Sequence, residues 1–195
     1  MFKIYKIIII IILLIHPLHL HAHVQHYDNL NRIEFDIYRN NKHIGKHIFS
    51  FKRSNGQLKV ESAINFEIKK LGIVLYKYHV SGTEIFQDGE LIKFNSKTNQ
   101  NGKKKYVNID LEDGEYKIDG SSFKGKVPKE YLLGTWWNHS IVKAPAQISA
   151  VSGRIIKQKV TFLGKETIKL GGKTYNTLHF NFSSTDKKLK KDKKL

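Results

Sequence analysis

Apolar and polar residues alternate along most of the chain after residue 30. Between residues 58 and 68 every second residue is apolar except Ser62, and the residues between them are mostly polar or charged. A period of two places alternate side chains on opposite faces of an extended strand. Shorter stretches repeat the pattern at residues 33–37, 49–51, 74–80, 92–94, 107–111, 160–162 and 178–182. The pattern therefore predicts a series of amphipathic β-strands.

Short polar segments with glycine separate these stretches. Asn-Gly and Asp-Gly pairs supply the positive backbone φ angles that tight hairpin turns require. Such segments are Ser54-Asn55-Gly56, Gln87-Asp88-Gly89, Asn101-Gly102, Asp113-Gly114 and Gly171-Gly172. Strands joined by turns of this length pair with their neighbours in the chain, so an antiparallel meander is expected.

Several long amphipathic strands must curve or stack to remove their apolar faces from water. We therefore predict an all-β fold in which the antiparallel meander forms a curved sheet, a half-barrel or a barrel. At most one short helix is expected, near residues 129–137 after Pro128. Residues 144–153 carry few charges and include Pro145, and they are interpreted as a loop before the final strands.

The N-terminus has the order of features that is typical of a secretory signal peptide. Lys3 and Lys6 precede an apolar run at residues 7–15, which Pro17 ends shortly before the small residue Ala22. This order of charge, apolar core and small residue directs export. The apolar run is shorter than the roughly 20 residues that a spanning helix needs. Cleavage after Ala22 would place the protein in the periplasm of a Gram-negative bacterium, and the alternative is an uncleaved inner-membrane tether.

Export changes how the composition is interpreted. The chain divides into a signal peptide (1–22), a single β domain (23–185) and a Lys-rich tail (186–195). It contains no cysteine, which excludes a lipoprotein anchor, disulfide bonds and thiolate metal sites. Its 34 Lys and Arg residues against 17 Asp and Glu residues give a net charge of +17. Such a basic protein attracts polyanions such as an anionic membrane surface, whereas export argues against nucleic acid. Many lysines occupy alternate strand positions, so solvated strand faces are the other interpretation.

Four stretches carry features of a known family when they are taken together. They are residues 35–49, residues 78–103, the segment Thr135-Trp136-Trp137-Asn138 and residues 153–180. In order and spacing these stretches resemble an uncharacterised family of exported bacterial proteins, known as a domain of unknown function. The resemblance implies an all-β exported domain and supplies no catalytic residues.

The C-terminus departs from that family. Its members continue past the strand that ends at Phe182 with a further strand pair, whereas this chain ends in the Lys-rich tail. The resemblance therefore implies that the chain is truncated, with the tail marking the truncation point. A native tail would instead help to blunt the open sheet edge with its charges.

No motif identifies a metal or catalytic site. Five of the ten histidines lie in or next to the signal peptide, and neither an HExxH nor a G-x-S-x-G motif is present. The spacing between His43 and His47 would place both side chains on the same face only if the segment were a helix. Glu84, Asp88 and Glu90 are interpreted as turn and solvent residues. We expect no metal and no cofactor, and no catalytic residue is assigned.

Residues 131–138 contain two adjacent tryptophans. Neighbouring side chains of a strand point to opposite faces, and a buried indole needs an acceptor for its N–H group. Tyr78, His79, Trp136, Trp137 and Asn138 are therefore candidates for the wall of a pocket that binds a lipid or a glycan. The alternative is a core plug that closes one end of the barrel, with Asn138 bonding backbone groups.

These features favour a non-enzymatic exported domain that binds an apolar or amphiphilic envelope molecule or assists envelope assembly. The basic hairpin tip at residues 97–105 would contact anionic head groups or remain a solvated turn. One alternative is an envelope hydrolase whose site is assembled in space around His79 and residues 136–138. The other is a structural module whose sheet edge pairs with a partner. The sequence does not indicate the oligomeric state.

Overall fold

The computed structural model describes residues 29–185, which form twelve β-strands and one short 3-10 helix. The predicted signal peptide, His23, His26 and the tail at residues 186–195 lie outside the described residues. The strands are β1 (Arg32–Arg39), β2 (Lys42–Ser54), β3 (Gln57–Lys70), β4 (Ile73–Gln87), β5 (Glu90–Gln100), β6 (Lys103–Glu112), β7 (Glu115–Gly120), β8 (Lys124–Pro128), β9 (Leu132–Leu133), β10 (Ala146–Ile148), β11 (Ile155–Leu170) and β12 (Lys173–Ser184). The predicted all-β fold is confirmed.

The first eight strands form one antiparallel sheet in chain order, from β1 to β8. A second sheet has the order β12-β11-β10-β9, and its β9–β10 pair is parallel. The predicted meander is thus confirmed for the larger sheet. Of the architectures that we expected, a barrel is not formed, because the two sheets do not close.

One face of the larger sheet carries the core. The register places Val60, Glu84, Phe94, Ile109 and Ile118 in one row across β3 to β7, with each residue opposite the next. All five side chains are buried. We call this the inner face of the sheet, and side chains on alternate positions form the outer face.

Residues Leu132–Ile148 pack against this inner face and are here called the plug. They include β9, the 3-10 helix His139–Lys143 and β10. Leu133, Trp137 and Ile148 join the same buried cluster as Val60 and Phe94. Burial of such a cluster contributes about 25 cal/mol for each Å² of apolar surface removed from water.

The plug corrects two details of the sequence analysis. The short helix follows residues 129–137 instead of lying within them, because the Asn138 side chain accepts a hydrogen bond from the Ser140 N–H and begins the helix there. The segment 144–153 is not only a loop, since Ala146–Ile148 form strand β10. That strand is buried on both sides, so it lacks the alternation by which the other strands were recognised.

The strand order gives the larger sheet two distinct ends. Because antiparallel neighbours alternate in direction, the β1–β2, β3–β4 and β5–β6 turns lie at one end. The β2–β3, β4–β5 and β6–β7 turns lie at the other end. Asn55, Asp88, Asn101 and Asp113 have positive φ angles in these turns, as predicted, but the β3–β4 turn uses Leu71 with φ 50°.

Candidate functional site

Trp137 is the centre of the plug. Its side chain is 4% exposed and meets Phe51 and Phe86 edge-on, with ring centroids 5.3 and 5.7 Å apart. Its indole Nε1 donates a hydrogen bond of 2.8 Å to Oε1 of Glu84. The buried indole therefore has the acceptor that its N–H group requires.

Glu84 is buried in the inner face, so its interpretation as a solvent residue is wrong. It is 2% exposed, and burial raises the pKa of its carboxyl to about 7. The Trp137 N–H opposes this shift, and so does the Thr135 hydroxyl, which lies near the carboxyl but does not form a hydrogen bond of good geometry. Glu84 is an even number of residues from both Val80 and Phe86, so all three lie on the same face of the strand. This is the sequence signal that was missed.

A small cavity lies beside the Glu84 carboxyl. Its volume is about 30 Å³, and its lining includes the polar side chains of Tyr116, Thr135 and Asn138. A polar space of this size holds a water molecule but is too small for a lipid chain or a sugar ring. Burial raises the pKa of Tyr116, so its phenol stays protonated and offers a donor.

Trp136 and Asn138 point elsewhere. Trp136 is 57% exposed and packs edge-on against Phe182 of β12, with ring centroids 5.1 Å apart. The Asn138 side chain caps the 3-10 helix through Ser140 N at 3.0 Å. The two tryptophans are thus divided between the core and the second sheet.

Tyr78 and His79 occupy opposite faces of β4. Tyr78 lies on the inner face and stacks on Phe66, with centroids 5.0 Å apart and planes at 26°. His79 is exposed on the outer face, where its Nδ1 pairs with the Asn65 side chain. Tyr78 and His79 both border one open groove of about 500 Å³. Trp136, Trp137 and Asn138 do not line this groove, so the five predicted residues do not form one pocket. A hydrolase site would need an acid or hydroxyl at His79, and the partner there is an amide.

Tyr78 belongs to a larger aromatic group that sequence reasoning missed. We define the aromatic patch as Phe35, His47, Phe66, Tyr76 and Tyr78. Phe66 stacks on both tyrosines, and His47 lies 6.2 Å from Phe35, centroid to centroid. Partial burial lowers the pKa of His47, so this imidazole is neutral at pH 7. The alternation that marks the core simply continues into the patch.

The patch is an uncovered part of the inner face. It lies on β1 to β4 beyond Val80, toward the β3–β4 turn, and the plug packs on the opposite half of the sheet. Phe35 is 52% exposed, and Phe66, Tyr76 and Tyr78 are only half-buried. Exposed aromatic surface of this kind is unusual on a face that elsewhere forms a core.

Basic side chains border the patch. Tyr78 is opposite Gln100, and Gln100 is opposite Lys103, so Lys103 and Lys105 share the inner face with Tyr78. Lys105 Nζ donates to Gln100 Oε1 at 2.8 Å. Lys104 between them faces outward. The arrangement offers an apolar platform with cations at one edge.

Residues 29–185 lack two kinds of feature. That part of the chain contains no helix that is long and apolar enough to cross a membrane. It also contains no group of three or more His, Cys, Asp or Glu side chains placed to hold a metal ion.

The fold and the site define an all-β protein in which a plug covers one half of the inner face of the larger sheet and an aromatic patch lies open on the other half. The model of a family described as a domain of unknown function, DUF6134, matches residues 35–194. The chain belongs to this family, as the resemblance implied. No curated protein and no solved structure matches the chain.

Proposed function

We propose that this chain is an exported, non-enzymatic protein that binds an anionic amphiphile of the cell envelope. The apolar part of the ligand lies on the aromatic patch, and its anionic head group pairs with Lys103 and Lys105. The observation that carries the proposal is the uncovered continuation of the inner face beyond the plug, with cations at its edge.

The patch is suited to an apolar ligand because its rings are already ordered. Phe66 is held between Tyr76 and Tyr78, with ring centroids 6.0 and 5.0 Å away. An acyl chain laid on these rings would remove their faces from water, at about 25 cal/mol for each Å² of apolar surface buried. Little conformational entropy is lost when the receiving side chains are already fixed.

The charge of the head group follows from the edge of the patch. Lys103 and Lys105 face the same side as Tyr78, and the β5–β6 turn between residues 100 and 104 contains no acid. An ammonium group attracts phosphate or carboxylate as a point charge. Export of the chain, which the N-terminal pattern supports, would bring it to lipids with such head groups.

Native mass spectrometry of the exported protein with palmitoyl lysophosphatidylglycerol tests this proposal. Lysophosphatidylcholine of the same chain length is the control for head-group charge. We expect one bound anionic lipid, and at least tenfold weaker binding of the zwitterionic lipid. Absence of a bound anionic lipid at concentrations below its micelle threshold would overturn the proposal.

Matched variants locate the site. Tyr78→Ser should weaken lysophosphatidylglycerol binding about tenfold, whereas Tyr106→Ser on the outer face should leave it unchanged. Lys103→Gln should weaken binding several-fold, and Lys104→Gln, which alters a neighbour on the outer face, should not. Equal effects of the inner-face and outer-face variants would contradict binding on the aromatic patch.

A further inference from the structure

The β3–β4 hairpin ends in apolar residues that the protein does not cover. Leu71 is 93% exposed, Ile73 67% and Leu75 55%. Val74 adds a further exposed apolar side chain at the same tip. We call residues 71–75 the apolar tip.

The position of Leu71 makes this exposure harder to explain by folding alone. Its φ of 50° lies in the left-handed region, where the equivalent turn residues are Asn55, Asp88, Asn101 and Asp113. Asn and Asp tolerate this conformation better than leucine. Because Leu71 makes almost no contact within the chain, its side chain gives no packing inside the protein that would offset the backbone cost.

Basic residues surround the apolar tip. The β1–β2, β3–β4 and β5–β6 turns, residues 39–42, 69–73 and 100–104, hold Arg39, Lys42, Lys69, Lys70, Lys103 and Lys104 and no acid. We call these turns the lysine end of the sheet. Glu67 is the neighbouring acid on β3, and it is already paired with Lys69 at 3.0 Å and Lys77 at 3.2 Å.

From this combination we infer that the lysine end docks on a lipid bilayer that contains anionic head groups. The apolar tip enters the boundary between head groups and acyl chains, while Lys69 and Lys70 remain at the level of the phosphates. Each lysine near an anionic leaflet strengthens adsorption, and salt weakens it. The charge of the surroundings distinguishes this partner from an uncharged apolar groove on another protein.

Docking in this orientation also places the aromatic patch toward the bilayer, because the patch lies at the same end of the sheet. The inference does not depend on the proposed ligand. A protein that adsorbs to vesicles without binding a monomeric lysolipid would support docking and contradict the ligand proposal. A protein that binds the monomeric lysolipid without adsorbing to vesicles would support the ligand proposal and contradict docking.

Vesicle co-sedimentation tests the docking surface directly. The exported protein, with its N-terminus determined by mass, is mixed with vesicles of phosphatidylcholine alone or with 30% phosphatidylglycerol. These vesicle compositions are our choice of probe, about one-third anionic to approximate a charged leaflet. We expect binding to the anionic vesicles to be at least tenfold stronger and to fall on raising the salt concentration.

Leu71→Asn with Ile73→Asn should reduce this binding at least tenfold. The control is Leu163→Asn on β11, since Leu163 is also an exposed leucine (56%) but lies outside the apolar tip. Lys69→Gln with Lys70→Gln should also weaken binding, whereas Lys117→Gln with Lys126→Gln, near the opposite end, should not. Failure of the wild-type protein to bind anionic vesicles, or unchanged binding by the tip variants, would overturn the inference.

A fluorescent label measures insertion without relying on lost binding. The chain has no cysteine, so Ile73→Cys or Leu163→Cys accepts a single bimane group. Anionic vesicles should shift the emission of the label at residue 73 to the blue and leave the label at residue 163 unchanged. An equal shift at both positions, or none at residue 73, would contradict insertion of the tip.

Discussion

Both ends of the eight-stranded sheet are formed by tight hairpin turns. They differ in charge, and the plug covers the inner face near only one of them. At the lysine end the three turns carry six basic residues and no acid. At the other end, residues 53–57, 87–90 and 112–115 carry Arg53 and five acids, namely Asp88, Glu90, Glu112, Asp113 and Glu115. We call this the acidic end. The plug covers the inner face toward the acidic end and leaves the aromatic patch at the lysine end open.

Two rows of inner-face residues on the same strands show the effect of the plug. Val60, Glu84 and Phe94 face each other across β3 to β5 and are buried. Six residues along the same strands, Phe66 and Tyr78 face each other and remain half-exposed. The local sequence pattern is the same in both rows, so the plug decides which row serves stability. The uncovered row is available for contacts outside the chain.

Removal of Trp137 should have the largest effect on this comparison. Trp137→Ala deletes a buried indole and leaves the Glu84 carboxyl without its hydrogen-bond donor. Such a change costs about 3–5 kcal/mol of unfolding free energy. Urea unfolding should show this loss, while Tyr78→Ala and Trp136→Ala should each cost about 1 kcal/mol or less, as surface changes do. A loss for Tyr78→Ala equal to that for Trp137→Ala would show that both halves of the inner face are core.

The pH dependence of stability should report Glu84. Its pKa is about 7 in the folded chain and 4.5 ordinarily, so between these values the folded state retains a proton that the unfolded state has lost. The contribution of Glu84 to stability should therefore fall by about 3 kcal/mol as the pH rises from 4.5 to 7, and stay level above pH 7. Urea unfolding at intervals across this range measures the change.

Glu84→Gln isolates this carboxyl from the others. The glutamine oxygen still accepts from Trp137, and the variant has no charge to bury, so it should be about 2 kcal/mol more stable than the wild type at pH 8. Lysines lower the pKa values of Glu61 and Glu67, and burial lowers that of His47, so these groups make stability rise with pH, opposite in sign to Glu84, and they do so equally in both proteins. A variant with the same fall between pH 4.5 and 7 would exclude Glu84 as its source.

The strands were predictable because their signals are local. Period-two alternation and Asn-Gly or Asp-Gly turns identified the meander, and the positive φ angles at Asn55 and Asp113 confirm the turn interpretation. The turn at Leu71-Gly72 was missed, because leucine is not a residue that favours this conformation. Burial of Glu84 was missed for a different reason. Its proximity to the Asp88-Gly89 turn suggested a solvent residue, although the alternation along the strand places it on the buried face.

The candidate site was less predictable, because segments that are distant in the sequence decide which part of a sheet face is buried. Tyr78 and Phe66 belong to strands that the sequence shows clearly, but whether they are core depends on where residues 132–148 pack. The tryptophan pair attracted attention as a pocket wall, and Trp137 instead fills the space that a pocket would occupy. The plug interpretation of Trp137 matches its contacts with Phe51 and Phe86.

Leu71→Asn should have the smallest effect on stability and the clearest one on the comparison between the ends. Asparagine adopts the left-handed conformation with less strain, and a side chain that is 93% exposed gives up almost no packing. The variant should be more stable than the wild type by about 0.5–1 kcal/mol, while its binding to anionic vesicles is reduced. Asn101→Leu is the converse change at the neighbouring turn, and it should cost somewhat more, because Asn101 Oδ1 also accepts a hydrogen bond from the Lys77 N–H at 3.4 Å. If Leu71→Asn instead destabilises the chain, then Leu71 packs within the protein, and the lysine end is closed by its own residues.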